Sequence, residues 1–390
     1  VCVCVFVRER ESLQFARLRH TAMASLSPQA PILLLLLASA LLFTSSTAAG
    51  EPEAAVASEC VDAGQRGECY DKPEALRLKV VAIAAILVAS MVGVCLPLFS
   101  RALPALRPDR KLFVVVKAFA AGVILATGFM HVLPDSFDNL RSPCLPQEPW
   151  REFPFTAFVA MLSSLVTLML DSFAMTFYSR RRRDRVEVAQ GGATPDMEMM
   201  TAGHGHGHDH GHGHGLQRLP MSKDEEADHA LGRNRVIAQV LELGIVVHSV
   251  VIGLSMGASQ NPCTIRPLVA ALCFHQLFEG MGLGGCILQV EYGLKMKAIM
   301  VFFFSTTTPF GVALGIGLSN VYSDNSPTAL IVIGLLNASS SGLLIYMALV
   351  DLLAADFMGP KLQGSVKLQL WAYVAVLLGA GGMSLMAKWA

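Results

Sequence analysis

His248-Ser249-Val250-Val251-Ile252-Gly253 and His275-Gln276-Leu277-Phe278-Glu279-Gly280 decide how this chain is read. Each lies near the middle of an apolar stretch, 236–257 and 265–289, long enough for a helix to cross a bilayer. An imidazole or carboxylate at that depth is expensive to bury and marks a pathway or a site by default. His275 and Glu279 are four residues apart, so a helix stacks them on one face about one turn from each other. His248 stands near the midpoint of its own stretch, with Ser249, Ile252, Ser255 and Met256 on neighbouring helical positions.

Neutral imidazole plus carboxylate is a ligand set for Zn²⁺, Fe²⁺, Mn²⁺ and their neighbours. For one such residue, a hydrogen bond inside the bundle is an equally good account. Three at matched depth on consecutive spans favour a metal site. Both segments read His, a polar residue, three more residues, then Gly, and their spans run in opposite directions. The pair therefore resembles an inverted repeat meeting at the midplane, where secondary transporters place their sites.

Working outward, 53% of the chain is hydrophobic and 15% charged, with a positive mean hydropathy. That composition belongs to a membrane protein. Eight stretches approach the roughly 20 residues a spanning helix needs: 78–99, 112–134, 155–177, 236–257, 265–289, 298–318, 328–350 and 370–389. Stretches of this length in lipid form helices rather than barrel strands. The expected fold class is an all-α polytopic membrane protein of eight transmembrane helices. Basic residues follow the first, third, fifth and seventh stretches: Arg101, Arg107, Arg110 and Lys111; Arg180 to Arg183 and Arg185; Lys295 and Lys297; Lys361 and Lys367. The alternate connections are poorer in base, which puts the odd-numbered ends in the cytoplasm and both termini outside.

The organisation read from these features has six parts. Residues 1–22 form an upstream extension, with translation expected to start at Met23. A signal peptide at 23–50 combines a short leucine-rich core with small residues before its end. An extracytoplasmic segment at 51–77 precedes spans one to three at 78–178, a cytosolic loop at 179–234, and spans four to eight at 235–390. Cys60 and Cys69 share the N-terminal segment, where a bridge between them is expected, and Cys144 and Cys263 fall in outer loops. Cys95, Cys273 and Cys286 lie within spans and read as packing residues. The cytosolic loop carries His204, His206, His208, His210, His212 and His214, separated mostly by glycine. Such a flexible tract can wrap Zn²⁺ without forming a fixed site, which suits capture or sensing of metal leaving a pore.

Further ionisable residues extend the route. His131 and Asp135, four apart at the outer end of span two, read as an entrance pair. Asp171 and Glu242 are candidates for the exit. Lys117 is expected to snorkel to the cytosolic surface. The Gly253/Gly257, Gly280/Gly284 and Gly311/Gly315 pairs have the spacing of close helix contacts.

The string from His248 to Gly257, together with His275 to Gly280, resembles the signature of the ZIP (ZRT/IRT-like) divalent-metal transporters, specifically the plant branch. Gly122 to Asp135 is similar to the second span of that family. The resemblance covers nearly everything from 78 to 390. It implies influx of Zn²⁺, with Fe²⁺, Mn²⁺ and Cd²⁺ as alternatives, from outside or a lumen into the cytosol. By motif position His248, His275 and Glu279 would be core ligands, with Ser249 and Gln276 as flanking contributors. Other branches carry a second acidic residue in span four where this chain has Ile252, a departure that argues for one principal site. The metal is cargo, and no cofactor is expected. The partners expected are divalent metal ions and the bilayer, with a homodimer open and no nucleic acid. The expected location is the plasma membrane. A zinc-dependent intramembrane hydrolase is the alternative of another class, discriminated by hydrolysis of a membrane substrate. No His-Glu-x-x-His sequence supports it. An exporter with a histidine loop would need six spans and cytosolic termini, against the charge pattern.

Overall fold

Bare backbone is so costly in hydrocarbon that a chain this apolar must satisfy its N–H and C=O groups within each crossing segment. The described elements are accordingly all helical in this computed structural model, which describes residues 69, 71–99, 110–190, 223–290, 292–319 and 326–388. Among them, eight helices are long and apolar enough to cross a membrane. They are α1 (Lys72–Leu98), α2 (Lys111–Leu140), α3 (Phe155–Gln190), α4 (Lys223–Ala258), α5 (Pro262–Gln289), α6 (Leu294–Leu318), α7 (Pro327–Phe357) and α8 (Val366–Ala387). Each expected span falls on one of them. Several begin earlier than hydropathy indicates because a polar residue caps them. Asp71 accepts from the Glu74 amide, Asn261 from Cys263, Ser326 from Ala329 and Ser365 from Leu368, filling donors that a helix start leaves open.

Burial sorts the helices into central and lipid-facing ones. The apolar windows of α2, α4 and α5 are 61%, 61% and 67% buried, whereas those of α3 and α8 are 11% and 22% buried. The central three carry His131, His248, His275 and Glu279. Phe158, Leu165, Phe173, Leu370, Trp371 and Leu377 stand exposed on the two peripheral helices, as a lipid-facing surface requires.

Packing falls into two groups. In one, α1 lies against α5 and α6, and α4 against α6; in the other, α2 lies against α8 and α3 against α7. Small residues set the closest approaches. A Cβ on Gly93 of α1 would stand 2.2 Å from the Leu277 carbonyl oxygen, and one on Gly122 of α2 equally close to that of Val376. Gly253 and Gly257 face Gly311 and Gly315 across the α4/α6 contact, and Gly280 and Gly284 face α1 at Gly93 and Val94, as their spacing led one to expect. Two apolar clusters run along α4 and α5, the first joining the two groups and the second lying within the group of α1, α4, α5 and α6. One contains Leu241, Ile245, Leu283, Ile287 and Met347; the other contains Ile86, Ile252, Met256, Ile265 and Leu272. His248, His275 and Glu279 fall between them along α4 and α5.

Three expectations need correction. Cys69 is bridged to Cys263 rather than to Cys60, because α1 and α5 pack side by side and bring their first turns together. The Arg266–Glu74 ion pair joins the same two helices. Lys117 does not snorkel: it is 6% exposed, and its Nζ donates to Asp356 Oδ1 at 3.0 Å. Its depth allowed either outcome, but it lies on the inward face of α2, where a carboxylate was available. Cys273 and Cys286 are free thiols, whereas Cys95 is disulfide-bonded; depth alone carried no information about its partner. The extension at 1–22, the signal peptide at 23–50 and the tract from His204 to His214 lie outside the described residues.

Candidate metal site between α2, α4, α5 and α7

The helical spacing of His275 and Glu279 places both on the face of α5 that meets α4, where His248 projects toward them. One donor atom from each of His248, His275 and Glu279 lies within 4.8 Å of the others. All three residues are essentially inaccessible, at 1%, 0% and 0% exposure. The donors of a tetrahedral zinc ion, each about 2.0–2.2 Å from the metal, are about 3.5 Å apart. Small side-chain rotations therefore suffice for the three to close on one ion. Among the described residues this is the one group of three or more metal-ligating side chains so close together.

The polar atoms here are orphaned to a degree that ordinary packing does not tolerate. Nε2 of His248 and of His275, both Glu279 oxygens, both amide atoms of Gln276 and Ser249 Oγ are buried without hydrogen-bond partners. Each such atom costs about 1–3 kcal/mol, and native interiors hold few of them. A shared cation would satisfy the imidazoles and the carboxylate together. Ser249 and Gln276, expected as flanking contributors, are buried at 1% and 0% exposure beside the two histidines in sequence.

His131 stands closer to this group than an entrance residue would. Its ring centroid is 6.2 Å from that of His275, which is itself 5.7 Å from that of His248. The cause is a π-helical turn at Gly128–Val132. Pro134 has no N–H to offer the Met130 carbonyl one turn back, and the Leu133 amide bonds instead to the Gly128 oxygen. Ser341 Oγ on α7 donates to the same oxygen at 3.0 Å. Asp135, on the next turn, is half-buried and outside the close group. Asp171 is held elsewhere, accepting from the Tyr346 hydroxyl at 3.2 Å. Glu242, also half-buried, is not among the clustered ligands either.

Residues that sequence reasoning missed come mainly from α7. Ser340 Oγ lies 3.1 Å from His248 Nδ1. When that nitrogen carries the proton and donates it to Ser340, Nε2 keeps the lone pair a metal needs. Its neighbours Ser339 and Ser341 give a run of three serines in an apolar span, a signal that was present but unspecific. Ser305 and Thr308 of α6 are also buried with unpartnered hydroxyls.

Eight spanning helices among the described residues, enclosing a group of side chains able to ligate a metal, define a multi-pass membrane protein. The chain belongs to the ZIP family: the ZIP Zinc transporter model matches residues 76–387. It is 66% identical over 349 residues to Fe(2+) transport protein 1 of Oryza sativa subsp. japonica, covering 88% of this chain and 92% of that one. It is 58% identical over 354 residues to Zinc transporter 7 of Arabidopsis thaliana, covering 90% and 95%. It is 57% identical over 339 residues to Fe(2+) transport protein 1 of Arabidopsis thaliana, covering 87% and 93%. The protein is a membrane transporter of the ZIP family and not an enzyme.

Proposed function

We propose that the chain carries Zn²⁺ or Fe²⁺ from outside the cell, or from a lumen, into the cytosol through the site formed by His248, His275 and Glu279. The observation that carries this reading is the convergence of their donor atoms within 4.8 Å in a fully buried setting. The names of the relatives support both metals, two being Fe(2+) transport proteins and one a zinc transporter. Mn²⁺ and Cd²⁺ suit the same ligands, since first-row affinity order does not by itself set selectivity.

In this mechanism a hydrated dication passes Asp135 and meets His131. It exchanges water for His248, His275 and Glu279, with Ser249 and Gln276 beside it, and leaves past Glu242 and Asp171. One principal site is enough, because Ile252 packs in an apolar cluster with Met256 and Leu272 and offers no donor. The site is mixed and incomplete, so the ion is held weakly enough to leave. The signal peptide at 23–50, outer termini, a plasma-membrane location and metal capture by His204 to His214 belong to the same proposal, as does the division into 51–77, 78–178, 179–234 and 235–390. Pairing of two copies is compatible with it.

The test is metal uptake in cells expressing the protein, with Zn²⁺, Fe²⁺, Mn²⁺ and Cd²⁺ competing. Glu279→Ala and His248→Ala should each reduce uptake to background at unchanged surface abundance. Normal uptake in both would remove the site. Deleting 204–214 should alter the transport rate or the response to metal excess, and no change in either would reduce that tract to a linker.

A further inference from the structure

Beyond the His/Glu group, toward the end of the bundle that carries the basic connections, α2, α4, α5 and α7 enclose a second polar chamber of about 60 Å³. The same four helices supply His131, His248, His275 with Glu279, and Ser340 to the first site. Cys286 lies seven residues past Glu279 on α5, and Asp351 eleven past Ser340 on α7. At about 1.5 Å per residue, the chamber is roughly 10–17 Å further along the bundle.

The chamber already holds a cation. Lys117 reaches into it and is paired with Asp356. Asp351, on the π-helical stretch Met347–Ala354, also lines it; this side chain is 2% exposed and its Oδ2 has no hydrogen-bond partner. The free thiol of Cys286 and the amide of Gln289 add two further donors. Arg233 is exposed at the rim, where water screens its charge. A buried carboxylate with an oxygen unpaired, beside a lysine committed to another carboxylate, is an incomplete arrangement. Carboxylate, thiol and amide together suit a divalent cation of borderline softness.

We propose that this chamber is a second divalent-cation site on the inward route, and that the Lys117 ammonium holds its place until an arriving ion displaces it. The proposal rests on the passage of metal through the His248 site. Lys117 swings off Asp356 as the ion takes up Asp351 and Asp356, and its return drives the ion toward the Arg233 rim and water. The carboxylates meet a positive charge before, during and after transit. Competition from the tethered ammonium keeps the ion loosely held, as release requires.

The test uses the purified full-length chain and follows mixed-disulfide formation at Cys286 by a small methanethiosulfonate reagent, with methanesulfinate as the leaving group, read by non-reducing peptide mass spectrometry as Zn²⁺ is added. It is run in the His248→Ala/Glu279→Ala background, so that occupancy of the first site plays no part. Lys117→Met should lower the half-protecting Zn²⁺ concentration at least tenfold, and Lys117→Arg should leave it near the parent. Adding Asp351→Asn to Lys117→Met should remove the gain. Equal protection with and without Lys117, or a gain that survives loss of Asp351, overturns the proposal. Should Lys117→Met fail to yield monodisperse protein, Asp351→Asn alone must raise the half-protecting concentration at least tenfold, and an unchanged value overturns it equally. Uptake by the same background variant reports separately on the first site: normal uptake there would refute that site while leaving the protection result to be judged on its own.

Discussion

Ser340→Ala removes one hydroxyl from α7 and no metal ligand, and it should nonetheless weaken zinc transport. In the parent, Ser340 Oγ lies 3.1 Å from His248 Nδ1, and His248 is 1% exposed, so water has little access to replace the lost partner. A buried N–H left without an acceptor costs about 1–3 kcal/mol. At 1.4 kcal/mol per factor of ten, that corresponds to roughly five- to hundredfold weaker metal binding, in line with the roughly 10–100-fold effects seen when the partner of a ligating histidine is removed. The assay is the initial rate of radiolabelled zinc uptake against concentration, normalised to surface abundance by biotinylation. The half-saturating concentration should rise about tenfold, with the maximal rate changed far less. Ser340→Thr keeps the hydroxyl and should stay near the parent. A parental half-saturation in Ser340→Ala, or a Thr variant as impaired as the Ala one, would refute the reasoning.

Three further outcomes follow from the packing and the site. Gly342→Ala places a Cβ 2.1 Å from the Ala160 carbonyl oxygen, so α3 and α7 must part and strain the Ser163–Ser339 and Ser164–Gly342 hydrogen bonds; thermal unfolding should show a loss of about 1–3 kcal/mol, and an unchanged Tm would contradict the contact. Peptide mapping without reduction should recover Cys69 linked to Cys263, and a Cys60–Cys69 fragment in its place would contradict the fold at the head of α1. His131→Ala should weaken uptake less than His248→Ala, because its ring adjoins His275 at 6.2 Å without joining the close ligand group; equal losses would make it a full ligand.

The spans were legible because a bilayer imposes a length, and runs such as 155–177 meet it almost residue for residue. The candidate ligands were legible for a related reason: a polar atom in hydrocarbon stands out, and the four-residue spacing of His275 and Glu279 carries its own geometry. Facing was much harder to read. Hydropathy gives the depth of Lys117 but not whether it points to water or to Asp356, 239 residues away. The π-helical turn that swings His131 inward depends on Pro134, whose effect on the ring beside it cannot be worked out from spacing. Ser340 was hidden because small polar residues are common in spans and mostly bond their own helix, as Ser90 does to the Ile86 carbonyl at 2.7 Å. The Cys69–Cys263 bridge follows from α1 packing on α5, a long-range fact that local cysteine spacing points away from.

Metal binding by His248, His275 and Glu279 is tested most directly by an anomalous difference map, collected at the zinc edge, from crystals of the protein grown with Zn²⁺. A peak is expected between His248, His275 and Glu279, about 2.0–2.2 Å from the nitrogen and oxygen donors. Anomalous density confined to other parts of the protein, with these three side chains unligated at saturating zinc, would contradict it.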